Sequence, residues 1–203
     1  MGTLTELGGQ AAVCTKCRLA SGRTTVVFGS GAPDADLVFI GEAPGFHEDK
    51  QGLPFVGAAG QLLEQLLNGI GLKRDEVYIC NVLKCRPPGN RDPMADEIEA
   101  CTPYLREQIA LIDPRVIVSL GNFATQYLLG RKIGITRVRG QKIPLDGRTL
   151  IPVLHPAAVL RGGLAGSSMK QTEEDFRTIR ATLDALPPKL ADIPDPAEQL
   201  GLF

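Results

Sequence analysis

The feature that most constrains this chain is a repeated alternation of short apolar runs with longer stretches of helical period. Asp36–Ile40 reads DLVFI, Val77–Leu83 reads VYICNVL, Arg115–Leu120 reads RVIVSL and Leu150–Leu154 reads LIPVL. Apolar runs of this length, with little polar alternation, suit strands buried on both faces, as in a parallel sheet covered by helices. Between them, Ala58–Ile70 carries Leu62, Leu63, Leu66, Leu67 and Ile70 at helical spacing, and Gly71 ends it. Helical stretches are also expected over Ala95–Ile112, with Pro103 forcing a break or restart, over Asn122–Leu129 and over Glu173–Leu186. Asp146-Gly147 marks an antiparallel hairpin. Strands alternating with helices specify an α/β three-layer sandwich, a mainly parallel central sheet flanked by helices.

A chain of 203 residues suffices for one domain, which buries roughly 70% of the surface its unfolded form exposes and needs no metal merely to have a core. We place that domain at residues 1–186. Residues 187–203 begin PPKLADIPDPAE, with four prolines, and read as an extended tail. No apolar run approaches the ~20 residues of a membrane span, and the N-terminus lacks a basic-then-apolar leader, so cytoplasm is the expected compartment. Net charge is 22 − 23 = −1, which by itself does not mark a nucleic-acid binder. Charge is unevenly spread, however: residues 131–142 hold Arg131, Lys132, Arg137, Arg139 and Lys142 without an acid, a candidate phosphate-facing strip.

Five cysteines in a reducing compartment argue against a disulfide framework. Cys14 and Cys17 form a C-x2-C pair on a loop after a short N-terminal helix; Cys85 and Cys101 form a distant second pair. Adjacent thiolates of a C-x2-C pair reach one metal centre without straining the backbone, and the fold must bring the second pair to them. A tetrathiolate set holds either zinc or an iron–sulfur cluster, and spacing alone does not choose. Cys80 lies inside an apolar strand and is assigned to the core.

Five segments then occur in order: CTKCRLASGRTTVVFG from Cys14, GEAPGFHEDKQGLPFVGAAGQLL from Gly41, YICNVLKCRPPGNR from Tyr78, VIVSLG from Val116 and HPAAVLR from His155. Together they closely resemble the family 4 uracil-DNA glycosylases, over about residues 10–186. The resemblance implies excision of uracil from single- and double-stranded DNA by a monofunctional glycosylase. It implies a [4Fe–4S] cluster on Cys14, Cys17, Cys85 and Cys101, with zinc the alternative. It also implies a flipped uracil held between two loops, GEAPG and HPAAVLR.

The roles carried over match the chemistry required. A side-chain amide can accept from uracil N3–H and donate to O4, whereas cytosine reverses both positions; Asn81 is the candidate reader. Phe55 resembles the residue that stacks on the flipped base. Departure of the base leaves negative charge on uracil O2, and His155, as neutral imidazole, is the candidate donor. The resemblance puts Gly41, Glu42 and Ala43 at the pocket, and Glu48 near uracil C5, where bulk excludes a thymine methyl. The best-known uracil glycosylases carry Asp where this chain has Ala43, so the group that orients the attacking water is left open, with Glu42 the candidate. Leu160 resembles a wedge that fills the hole left by the flipped nucleotide, or is ordinary packing, and Arg161 a phosphate contact.

A related class traps itself on DNA through a histidine in a basic insertion; the segment Arg86–Ala100 has no histidine, so that activity is not expected. Two readings from other classes remain: a non-catalytic metal-stabilised DNA-binding module, which predicts a degraded base reader, and an electron-transfer protein, which needs no base pocket. Finally, Gln199–Phe203 reads QLGLF and resembles the pentapeptide that docks bacterial repair proteins on the sliding clamp, with Gly201 a departure from it.

Overall fold

The computed structural model describes residues 2–164 and 166–187. In chain order the elements are α1 (Leu4–Ala12), β1 (Ser30–Gly31), β2 (Leu37–Gly41), α2 (Phe46–Gln51), α3 (Ala58–Gly69), β3 (Tyr78–Asn81), α4 (Ala95–Ile112), β4 (Val116–Leu120), α5 (Gly121–Leu129), α6 (Ile135–Val138), β5 (Ile143–Leu145), β6 (Arg148–Val153), α7 (Pro156–Gly162) and α8 (Ser167–Asp184). The sheet order is β1-β3-β2-β4-β6-β5. The four inner strands run parallel, and the short edge strands β1 and β5 pair antiparallel. The three-layer α/β architecture expected from the apolar runs is therefore the one observed.

Every residue of β2, β3 and β4 is buried, because helices cover both faces. On one face Leu62, Leu63, Leu66 and Leu67 of α3 pack with Phe176 and Ile179 of α8 against Phe39, Val118 and Ile151. Full burial of each leucine contributes ~1.5–3 kcal/mol. On the other face, Leu105 and Ile112 of α4 and Ala124 of α5 cover Val38, Ile40, Cys80 and Ile117. The hairpin turns at Asp146 and Gly147, both with positive φ (47° and 78°), as a two-residue primed turn requires.

Two expectations change. α4 runs unbroken through Pro103. That proline is solvent-exposed, so the carbonyl one turn earlier, which loses its N–H partner, can turn to water. The segment after His155 is not a loop: Pro156 at the first helical position starts α7. Among the described residues no helix is long and apolar enough to cross a membrane.

Candidate active site

The parallel register places the C-terminal ends of β3, β2, β4 and β6 side by side, at Asn81, Gly41, Leu120 and Val153. Ligand sites of parallel sheets form at that edge. Here it opens into a cleft of about 660 Å³ that includes Glu42, Ala43, Glu48, Phe55, Asn81, His155 and Arg161 in its walls. Gly41 lies beneath, buried.

Phe55 is held in a backbone conformation that aromatic residues avoid, with φ 53°, at a cost of ~1–3 kcal/mol that the surroundings must meet. Three contacts meet it. The Arg74 guanidinium donates to the Phe55 carbonyl at 3.0 Å and to the Pro54 carbonyl. The Glu48 carboxylate accepts from the Val56 and Gly57 amides at 3.0 and 3.1 Å. At Gly60, a Cβ would lie 1.8 Å from the Phe55 carbonyl oxygen, so only glycine lets α3 approach. The ring ends buried at the cleft wall, 5.8 Å from the His155 ring with a 31° tilt.

Asn81 ends β3 and is 2% exposed, yet among the described residues its Oδ1 has no hydrogen-bond partner. An orphaned buried acceptor costs ~1–3 kcal/mol and calls for a functional account. The amide fits because position 41 has no side chain: a Cβ there would stand 2.3 Å from Asn81 Oδ1 and 2.7 Å from Phe55 Cζ.

His155 caps the N-terminus of α7, its Nδ1 accepting from the Ala157 amide at 3.1 Å. Nδ1 is then the acceptor nitrogen, and the neutral ring carries its proton on Nε2. Burial pushes the pKa down to about 4, with Arg161 acting in the same direction and Glu48 opposing. The imidazole is neutral at physiological pH, a donor without charge. Gly121, at φ 89°, lets β4 turn into α5 directly beneath it, where a Cβ would come within 2.9 Å of His155 Cβ.

Glu42 is half-buried beside the cleft, and burial followed by repulsion from Asp92 raises its pKa above the usual carboxylate range. A raised carboxylate is a better proton acceptor. Glu48 lines the cleft, and its carboxylate holds the loop that carries Phe55. Leu160 packs partly buried on the core from α7, and Arg161 lies exposed at the cleft. Arg131, Lys132, Arg137 and Lys142 are exposed, whereas Arg139 is engaged by Asp175 at 2.8 and 3.0 Å. Residues 199–203 lie outside the described residues.

The four thiols of Cys14, Cys17, Cys85 and Cys101 line one cavity below the β3 end. Arg23 donates to Cys14 O at 2.7 Å and to Cys85 Sγ at 3.5 Å, and the Lys84 amide donates to Cys101 Sγ at 3.2 Å. Burial raises Cys85 and pushes Cys101 up to about 11. Among the described residues, no three thiol, imidazole or carboxylate groups close to the spacing of a single metal ion. Cys80 is in the core, as expected.

Sequence reasoning missed Arg74, Asp92 and Gly121. Arg74 lies about twenty residues from the carbonyls it holds, on a surface-like KRDE stretch that carries no local signal. Gly121 was readable as a glycine at a strand–helix junction.

The family described as "Uracil DNA glycosylase superfamily" matches residues 28–183. The chain is 47% identical over 190 residues to a "Type-4 uracil-DNA glycosylase" of Sulfurisphaera tokodaii, covering 89% of this chain and 84% of that protein. It is 51% identical over 150 residues to a protein of the same description from Thermotoga maritima, covering 73% and 78%. With one from Archaeoglobus fulgidus it shares 42% over 200 residues, covering 95% and 99%.

Proposed function

The chain belongs to the uracil DNA glycosylase superfamily, and from that premise we propose that it is a type-4 enzyme hydrolysing the N-glycosidic bond of uracil in DNA. The products are free uracil and an abasic site. The observation that carries this reading is the buried, unpartnered Oδ1 of Asn81, set in a cleft wall beside Phe55 and His155. Uracil entering the cleft supplies the missing donor, N3–H, while the same amide's NH2 donates to O4. Cytosine presents the opposite pattern and would leave the acceptor facing a lone pair, a mismatch worth roughly 10⁴-fold in discrimination.

In the reaction, water attacks the sugar C1′ as the glycosidic bond breaks and its electron pair passes to the uracil ring, onto N1 and O2. His155 Nε2–H donates to O2 and stabilises that anion. A neutral donor keeps its proton while the uracil anion leaves as the conjugate base. Glu42, raised by burial and Asp92, orients the water and takes its proton. Phe55 offers its ring to the flipped base, an interaction worth ~1–3 kcal/mol. No lysine stands among the described residues of the cleft wall, which favours hydrolysis over a Schiff-base route. Arg161 contacts a phosphate, and Leu160, next to it on α7, fills space vacated by the flipped nucleotide.

We assign Cys14, Cys17, Cys85 and Cys101 to a [4Fe–4S] cluster. The donor set is all thiol and lines one cavity, as zinc or a cluster would require, and the resemblance to the type-4 enzymes selects the cluster. When bound, the cluster supplies a crosslink among the N-terminal segment, the turn after β3 and α4. We also read Gln199–Phe203 as a clamp-binding peptide; titrating a labelled 187–203 peptide with a bacterial sliding clamp tests it, and equal binding by a Leu202→Ala, Phe203→Ala peptide refutes it.

The test of the main reading is incubation with a uracil-containing oligonucleotide, followed by hot alkali. We expect alkali-dependent scission at uracil, together with free uracil, and about four irons per chain. Scission without alkali would refute hydrolysis, no uracil release would refute the activity, and colourless protein with one zinc would refute the cluster.

A further inference from the structure

We propose that Lys84 is a positioning residue for base recognition, its buried ammonium tying the end of β3 that carries Asn81 to the four-cysteine centre. The inference rests on the uracil-reading role of Asn81 proposed above. Lys84 is only 2% exposed, a rare state for a lysine. Its Nζ donates to the Asn81 carbonyl at 2.8 Å and to Gln108 Oε1. Gln108, wholly buried on α4, spends its amide nitrogen on the Phe28 carbonyl at 2.9 Å and the Tyr78 hydroxyl at 3.2 Å. The ammonium is thus locked from both sides, and the residue it grips from above is the one whose side chain faces the cleft.

The five residues from Asn81 to Cys85 form a link between the two sites. Asn81 stands in the cleft wall and Cys85 in the cysteine cavity. Between them the Val82 and Leu83 amides donate to the Gly41 and Glu42 carbonyls at 2.9 and 3.0 Å, and the Lys84 amide donates to Cys101 Sγ. Lys84 therefore holds a thiol with its main chain and, reaching back three residues, holds Asn81 with its side chain. Any displacement of the cysteine loop is delivered to the base reader.

The charge has the same logic. Among the described residues, the ion pairs of this molecule give Lys84 no carboxylate. A buried charge without a counter-charge is strongly unfavourable. Lys84 also lines the cysteine cavity together with Arg23 and Lys16. A four-thiolate iron–sulfur centre would carry net negative charge when bound, and Lys84, lining the same cavity, would supply it a buried counter-charge. A core lysine kept only for packing would owe nothing to either site.

The experiment compares full-length wild-type, Lys84→Met and Lys84→Arg proteins. Methionine keeps the length and removes charge and donors; arginine keeps the charge and changes the reach. For Lys84→Met we expect the saturating single-turnover rate of uracil release to fall about 100-fold, as for a misplacement on the order of 1 Å, with DNA affinity changed by less than about threefold. Its visible absorption should bleach about tenfold faster in the presence of an iron chelator, the usual loss when a group behind a metal ligand is removed. Lys84→Arg should bleach at the wild-type rate while releasing uracil more slowly. A Lys84→Met protein with wild-type release and bleaching overturns the inference. Should that variant not fold, Lys84→Arg decides, and overturns it if it bleaches faster than wild type. Wild-type protein that releases no uracil brings down the functional reading and this inference together.

Discussion

A methyl group added at Gly41 tests the geometry of the cleft at its tightest point. The Gly41 backbone lies outside the positive-φ region, so alanine there carries no conformational penalty and any effect comes from collision. The new Cβ would lie 2.3 Å from Asn81 Oδ1 and 2.7 Å from Phe55 Cζ, where ordinary contact begins at 3.4 Å. The amide oxygen must retreat by about 1 Å and the ring by somewhat less. Neither retreat is free. Asn81 is held through its carbonyl by Lys84, and Phe55 through its main chain by Arg74, the latter assisted by Glu48 at the next two amides. A 1 Å misplacement of a positioning group costs on the order of 10²-fold, and with the stacking surface displaced as well we expect 10²–10³-fold, or about 2.7–4 kcal/mol in the activation barrier. The assay is single-turnover release of uracil from a U·G duplex, quantified after hot alkali, alongside DNA affinity and thermal melting. A Gly41→Ala protein that melts normally and retains its rate within about a factor of three would refute the packing argument.

Further outcomes follow from the same site. His155→Ala should slow release by roughly 10²–10³-fold while DNA binding changes little; unchanged single-turnover rates would remove the imidazole from the mechanism. The His155 ring should titrate near 4 by NMR. Because the folded pKa lies below the unfolded value of ~6.5, the unfolded chain takes up a proton that the fold refuses, so this group lowers stability as pH falls from 6.5 to about 4 and adds no further change below; a ring titrating at 6.5 would contradict its burial. Arg74→Met should loosen the strained Phe55 backbone, lowering the melting temperature by several degrees for the ~1.5–3 kcal/mol of charged hydrogen bonds lost, and unchanged melting would mean that Glu48 and Gly60 suffice. Asn81→Asp should lose uracil excision and gain weak cytosine excision, since a carboxyl can accept from cytosine N4; full retention of uracil specificity would assign base reading elsewhere.

The four inner strands were legible to within a few residues because burial on both faces writes itself as uninterrupted apolar runs, whereas α8 begins six residues before the expected Glu173 and the short α2 and α6 gave no period to read. The β2 run DLVFI and the α3 leucines needed no partner to be recognised. Pro103 misled because the rule against proline in helices assumes a carbonyl that cannot reach water, and this one sits on the exposed face of α4. The segment after His155 looked like a loop because seven residues are too few for a helical period to declare itself. The resemblance puts Glu48 near uracil C5; that its carboxylate also holds two amides of the Phe55 loop is a commitment invisible in a string of letters.

By itself, the amino-acid sequence determined the sheet-and-helix alternation, the cysteine set and the residue types that uracil chemistry requires. These are local or compositional properties: a periodicity, a spacing, a donor or an acceptor at a motif position. Tertiary structure alone decided which of them act together. Parallel pairing at Gly41 and Asn81 brings two strand ends forty residues apart into one cleft wall. Folding empties the solvent from around Asn81 Oδ1 and leaves an acceptor that a base edge can satisfy. It also buries His155 until the neutral ring is the stable form and fixes its proton on Nε2 through the Ala157 amide. Burial, register and orphaned hydrogen bonds are sums over residues distant in the chain, so no window of sequence contains them.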